Sequence, residues 1–539
     1  MERRRFLQHS AIAGWALSIL PLASCSLPPA DQETLAGFPL AEKTIPELQA
    51  LMADGTYSAL DLVDMYLARI AEIDAAGPGL HSVLALNPQA QEMARQLDQE
   101  RVNGKVRGPL HGIPIMVKDN INSGGNLPTT AGSLALAGNL AGEDAFLLAS
   151  LTDAGAVLLG KTNLSEWANF RSTRSSSGWS SVGGQTHNPY VLDRNPCGSS
   201  SGSGVAAAAN LCAATVGTET NGSIVCPSST NGIVGIKPTV GLISRTGVVP
   251  ISHSQDTAGP MARTVTDAAC MLGAMVGVDP DDAASVLSAG KFLPDYTPHL
   301  KADGLKGAKL GIVKSAMGFH EEVDALMEQA IEDLKAQGAE IVEVEPIENI
   351  GSLWGVGYQV LLYEFKADLN AYLEKYSQNP DMKSLEDVIA FNSAHESEAM
   401  PHFKQEILEQ SQAKGDLNEQ EYLDAKQKLQ AASREGIDQT MKEFGLDAII
   451  APTGGPAWCT DWINGDHFGG GSSQFAAWSG YPNITVPAGF VKELPVGLSF
   501  FASAWQEPRL IELTYAYEQA TGHRKEPTFI PSIGQDTKR

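Results

Sequence analysis

Two serine-rich clusters hold the residues of this chain whose types and spacing suit nucleophilic chemistry. The first is Gly198-Ser199-Ser200-Ser201-Gly202-Ser203-Gly204. The second is Gly217-Thr218-Glu219-Thr220-Asn221-Gly222-Ser223-Ile224. A serine hydroxyl is a weak nucleophile until a base takes its proton. No histidine–aspartate partner is evident for these serines. A lysine can do the same work if it is neutral at rest. Burial favours the neutral amine, because taking ammonium out of water costs free energy. Small residues around the second cluster let backbone N–H groups come close to a ligand.

These clusters need elements to hold them. A flexible Gly/Ser linker has a similar composition, but two features oppose that reading. The apolar run Ala206 to Val216 requires burial, and strand-like runs, Ala213–Val216 and Gly232–Ile236, flank the second cluster. Upstream, Thr44-Ile45-Pro46-Glu47 and Ser58-Ala59-Leu60-Asp61 fit the helix-start box. Ile113, Ile115 and Val117 alternate as a half-buried strand does, with Lys118 at its C-terminal end on the opposite face. A lysine in that position is usually solvated. Leu310–Val313, a helix over about 321–336 and Ala339–Val344 read as strand–helix–strand. Residues 355–443 read as largely helical. Asp447–Pro452 and Val496–Phe501 read as strands, and a final helix covers about 509–521.

Three motif matches lack their structural context. Gly155 to Thr162 fits the phosphate-loop expression, but its variable residues read as the strand itself and Phe146–Leu151 before it as a helix. Gly198-Ser199-Ser200-Ser201-Gly202 fits a nucleophile elbow, yet loop rather than strand precedes it. Ser288-Ala289-Gly290-Lys291 fits SxxK without its companion motifs.

The net charge of −25, with no basic stripe, argues against nucleic acid as a partner. Six cysteines are scattered with no CxxC pair, and no HExxH or clustered His/Asp/Glu pattern suggests a metal. Cys197 and Cys226 flank the serine clusters and read as small core residues, with a disulfide between them or a reactive thiol as the alternatives. His111, His187 and His253 read as structural. Arg3-Arg4-Arg5-Phe6-Leu7 followed by a short apolar stretch resembles a twin-arginine export signal, and Leu22-Ala23-Ser24-Cys25 resembles a lipoprotein cleavage box. The expected layout is a signal over 1–24 and a tether over 25–43, with Cys25 lipidated. One domain then covers 44–525, and a tail covers 526–539. The expected location is the periplasm or cell envelope, with membrane contact only through the lipid.

The run from Gly198 through Gly217–Pro227 to Gly235-Ile236-Lys237-Pro238-Thr239 resembles the amidase signature family, most closely its subgroup that includes bacterial peptide amidases. Residues 108–120, Thr129–Ser133 and Ser254–Arg263 match further family segments. The resemblance implies an α/β fold, a mixed central β-sheet sandwiched between α-helical layers, and no cofactor or metal. It implies a Ser–Ser–Lys triad: Ser223 as nucleophile, Ser199 as bridge at an unusual cis peptide, and Lys118 as base. Backbone N–H groups of Thr220, Asn221, Gly222 and Ser223 form the oxyanion hole, with Thr218 orienting Ser199 and Ser200 beside the relay. Position 221 departs from the family, where Gly or Asp stands. Asn shares their tolerance of left-handed backbone, so the hole is expected to survive without the charge. The reaction implied is release of ammonia from an amide, the C-terminal amide of a peptide in the first place, with a small or aryl amide as the alternative. Transamidation of charged tRNA fits poorly with an export signal and acidic charge. A non-catalytic amide-binding lipoprotein has no need of all three triad residues. The helical region 355–443 is expected to shape the substrate mouth.

Overall fold

Both serine clusters meet the edge of one mixed sheet. The structure, a computed structural model, describes residues 37–534. The export signal, Cys25 and the tether as far as residue 36 therefore lie outside the described residues. From Leu40 onward the chain is one compact unit.

Among the described residues eleven strands form the sheet. They are β1 (Val83–Leu86), β2 (Pro114–Lys118), β3 (Val157–Thr162), β4 (Ala214–Glu219), β5 (Val234–Lys237), β6 (Thr257–Ala262), β7 (Lys309–Val313), β8 (Glu340–Val344), β9 (Ala448–Pro452), β10 (Asn483–Val491) and β11 (Leu494–Phe501). Their order is β1-β3-β2-β4-β6-β5-β10-β11-β9-β7-β8. β2 runs parallel to both β3 and β4, while β4 and β6 are antiparallel. Helices flank the sheet, giving the expected α/β architecture. The β7–helix–β8 unit is present, with its helix over Glu321–Ala336 and its strands parallel. Thr44 and Ser58 both close capping boxes.

β2 corrects one expectation. All five of its residues are buried, rather than every second one. A central parallel strand covered on both faces loses the alternation that marks a half-solvated strand. Lys118 therefore ends a strand with no exposed side.

The ends of the domain also differ from a plain tether and tail. Glu42, inside the stretch read as tether, takes a bidentate ion pair from Arg524, with both N–O distances 2.7 Å. Residues 529–530 hydrogen-bond to Pro189 and Tyr190. The region read as helical contains long helices at Trp354–Tyr376 and Gln420–Phe444. No helix among the described residues is long and apolar enough to cross a membrane.

The first serine cluster opens the buried helix Ser201–Ala208. Its small residues permit close packing. A Cβ on Gly202 would meet the Ser82 carbonyl oxygen at 2.3 Å and the backbone of Asn163 at 2.6 Å. Arg263 donates to the carbonyls of Ala207 (3.1 Å) and Cys212 (2.9 Å), placing a cation where the helix dipole is negative. Gly202→Ala should cost about 3 kcal/mol or more through overpacking against backbone that cannot yield. Urea unfolding measures it, and an unchanged midpoint would contradict this packing.

Candidate active site

β2 and β4 are parallel neighbours, with Val117 opposite Val216. Their C-terminal ends therefore bring Lys118 and Thr218 together, at the sheet edge where such folds place ligands. Lys118 is fully buried. Its Nζ lies 2.8 Å from Ser199 Oγ, 2.9 Å from Thr218 Oγ1 and 3.3 Å from the Thr218 carbonyl oxygen. Burial brings the lysine pKa down to about 7, while the Asp256 and Glu219 carboxylates pull it upward.

A neutral amine has two N–H donors and one lone pair. The Thr218 carbonyl can only accept. Thr218 Oγ1 accepts from both Lys118 and Asn120, whose Nδ2 is 2.9 Å away. Those two acceptors use both N–H groups, so the lone pair is left facing the Ser199 hydroxyl. Ser199 can therefore give its proton to Lys118.

Ser199 follows a cis peptide bond with Gly198, and its carbonyl accepts from Ser165 N at 3.1 Å. Thr218 holds the lysine directly rather than Ser199, which revises the role expected of it. Ser200 forms a reciprocal pair with Thr218: its hydroxyl donates to the Thr218 carbonyl (3.0 Å) and accepts from Thr218 N (3.1 Å).

The second cluster turns sharply between β4 and the short helix Val225–Thr230. Glu219 makes that turn. Its carboxylate accepts from Ile224 N (2.7 Å) and Val225 N (3.0 Å), setting negative charge at the helix start. The N–H groups of Thr220, Asn221, Gly222 and Ser223 have no hydrogen-bond acceptor among the described residues. The left-handed backbone falls on Gly222 (φ +83°) and not on Asn221, so the tolerance expected to matter at 221 is supplied one residue later. Asn221 is instead held by its side chain, with Ser473 Oγ donating to Oδ1 at 2.7 Å. Ser223 is joined to the first cluster through its carbonyl, which accepts from Ser200 N at 3.2 Å. Its hydroxyl has no partner among the described residues, and the residue keeps 8% exposure. The structure thus forms the Lys118–Ser199 half of the expected relay. Ser223 is tied to the first cluster by its backbone, and hydrogen bonds of a reacting hydroxyl commonly tighten only with substrate present.

Cys197 and Cys226 form a disulfide across 29 residues, the alternative to separate core residues that the sequence left open. Trp458 packs on the pair. His111 and His187 bond to backbone carbonyls at 3.0 Å, as structural residues do. His253 joins Glu364 and Asp368 in a group whose ligand atoms lie within 4.8 Å of one another, enough to suit a metal. The Lys426 ammonium already occupies it, 3.0 Å from His253 Nε2 and 3.2 Å from Glu364. Lys161 of the phosphate-loop match ends inside the sheet, its Nζ bonded to Asp119, Ile121 and Thr129.

Sequence reasoning passed over Glu219, Asn120, Asp256 and Ser473. The first three stand inside quoted segments; Ser473 carries no signal, because the fold alone brings it from 252 residues away.

A family model described as Amidase matches residues 61–511. A probable amidase of Arabidopsis thaliana is 42% identical over 503 residues, covering 92% of this chain and 93% of that protein. A putative amidase of Schizosaccharomyces pombe is 36% identical over 533 residues, covering 92% and 88%. The solved structure of native peptide amidase from Stenotrophomonas maltophilia is 48% identical, with a TM-score of 0.87, covering 92% of this chain and 100% of that one.

Thr218→Val keeps the shape of the side chain and removes the acceptor shared by Lys118 and Asn120. It should lower kcat on an amide substrate by about ten- to a hundredfold through misplacement of the lysine, with KM little changed. A variant with wild-type kcat would show that the Thr218 hydroxyl does not position Lys118.

Proposed function

This chain belongs to the amidase family, and from that premise we propose that it releases ammonia from the C-terminal amide of peptides through a Ser–Ser–Lys triad. It is a hydrolase of amide C–N bonds; the substrate and the roles below are our reading. The observation that carries the mechanism is the fully buried Lys118, lowered toward neutrality and turned by Thr218 to face Ser199.

Ser223 Oγ attacks the amide carbonyl while its proton passes to Ser199 Oγ, whose own proton passes to Lys118 Nζ. The carbonyl oxygen gains charge and is met by the unpartnered N–H groups of residues 220–223. The proton on Lys118 then returns through Ser199 to the departing nitrogen. The C–N bond breaks, ammonia leaves, and an ester to Ser223 remains. Water attacks that ester by the same proton route and restores the serine.

Two observations support a peptide substrate. One is the 48% identity with peptide amidase over nearly the whole chain. The other is a cavity of about 690 Å³, lined by Phe319, His320, Trp458 and Asp466, whose Trp458 packs on the Cys197–Cys226 pair. The helices over 354–444 complete the substrate mouth in this reading.

The disulfide suits an oxidising compartment. It agrees with export and with anchoring through Cys25, which is part of the proposal. Mass analysis of the mature N-terminus should find an acylated Cys25; a mature chain that is unmodified there would remove the anchor.

Ammonia release from amidated peptides, the matching free acids, and simple aliphatic and aryl amides tests the substrate. Amidated peptides should be deamidated with internal bonds intact. Activity confined to small amides would make the protein a general amidase. Ser223→Ala should remove turnover in a folded protein, and substantial residual hydrolysis would falsify the nucleophile.

A further inference from the structure

One buried charge beside this machinery has no part in the proton route. Asp256 stands just before β6, the strand next to β4, and is only 9% exposed. Its Oδ1 accepts from Thr220 Oγ1 at 2.5 Å, and its Oδ2 from the N–H groups of Ile251 (2.7 Å) and Ser252 (2.8 Å). It shares the lining of one small cavity with Asn120, Thr218 and Thr220. Thr220 opens the turn that presents the oxyanion donors, so this bond reaches the reaction centre directly.

The loop that Asp256 ties down is gripped from its other side. Ser252 and Ser254 donate to Glu364, and His253 N donates to Asp368, both carboxylates on the helix Trp354–Tyr376. Asp256 is thus the joint between the helical mouth and the oxyanion turn.

Its charge has a second effect. The groups facing Lys118 are the hydroxyls of Ser199 and Thr218, the Thr218 carbonyl, and the carboxylates of Asp256 and Glu219. Those facing Asp256 are Thr220, the two loop amides and the Arg245 guanidinium. Burial pushes Asp256 up to about 6, while three donors, Thr220 Oγ1 and the N–H groups of Ile251 and Ser252, point at its two oxygens and favour the carboxylate form. An anion close to a buried amine holds the proton on that amine. A base that burial alone acted upon would become too weak to take a proton in the transition state.

We infer that Asp256 is a positioning residue of the reaction: it fixes Thr220 and the oxyanion turn, and its negative charge sets the pH above which Lys118 is a neutral base. This inference rests on the Ser–Ser–Lys reading.

The test is the pH profile of kcat/KM and kcat for amide hydrolysis by the full chain, for the wild type, Asp256→Asn and Thr220→Val. The wild type should gain activity as pH rises through about 7, because the base works only when deprotonated. Asn keeps one carbonyl oxygen to accept from the Ile251 and Ser252 N–H groups, and its amide N–H can donate to Thr220 Oγ1 in place of accepting from it, while the charge is lost. Asp256→Asn should therefore move the acid limb to lower pH by about one unit. Thr220→Val keeps the charge and loses the bond. It should lower kcat by about ten- to a hundredfold with the limb in place. A folded Asp256→Asn whose limb coincides with the wild type overturns the electrostatic role. A Thr220→Val with wild-type kcat overturns the positioning role, and it does so even if Asp256→Asn fails to fold. A wild type without an acid limb counts against the lysine base itself, a different failure from either of these.

Discussion

The Lys118 side chain ends where an ammonium ion is poorly tolerated. Much of the site can be understood as the management of that one fact. Water is excluded because β2 lies between two parallel strands with both faces covered. The amine can shed its proton near neutral pH because nothing solvates it except hydroxyls and one carbonyl. Two carboxylates stand close enough to keep it basic without pairing with it by a direct hydrogen bond. A strong ion pair would have fixed the lysine as a cation, and complete isolation would have left it inert.

The sheet turns this local chemistry into a reaction centre. Lys118 and Thr218 meet because adjacent parallel strands end at the same level. Ser199 reaches them because the helix that follows it can lie, at Gly202, against backbone that any larger residue would strike. Glu219 bends the chain back after β4 and leaves four N–H groups with no acceptor among the described residues. Unpaired donors in a buried turn are costly, and here they gather beside the serine best placed to use them.

Much of this was legible in the sequence. Both helix-start boxes, the strand ending in Lys118 and the β7–helix–β8 unit were readable because they are local: capping and periodicity act over a few residues. The resemblance of the serine clusters to a known family supplied the residues that converge. Long-range relations were not legible. Burial of β2 on both faces depends on helices distant in sequence, Ala59–Arg69 and Ser201–Ala208, that pack against it, and its alternating Ile and Val residues suggested a half-exposed strand. Cys197 and Cys226 carry no spacing that announces a bond. Asp256 and Ser473 look like ordinary polar residues until the fold brings them to Thr220 and Asn221. Asn221 tolerates a left-handed backbone, but the fold puts that conformation on Gly222, which only the geometry of the turn decides.

The Cys197–Cys226 bond has a topological consequence. Ser199, the helix behind it, β4, the oxyanion turn and Ser223 all lie between the two cysteines. That stretch is a covalently closed ring, entered and left through the same pair of sulfurs. Cutting its backbone at any one point opens the ring and releases no fragment, whereas a single cut elsewhere in the chain, from Leu40 onward, divides the covalent molecule in two unless another link spans it. Both serines of the proposed triad thus occupy the one described segment that stays joined to each of its neighbours after a break in the main chain.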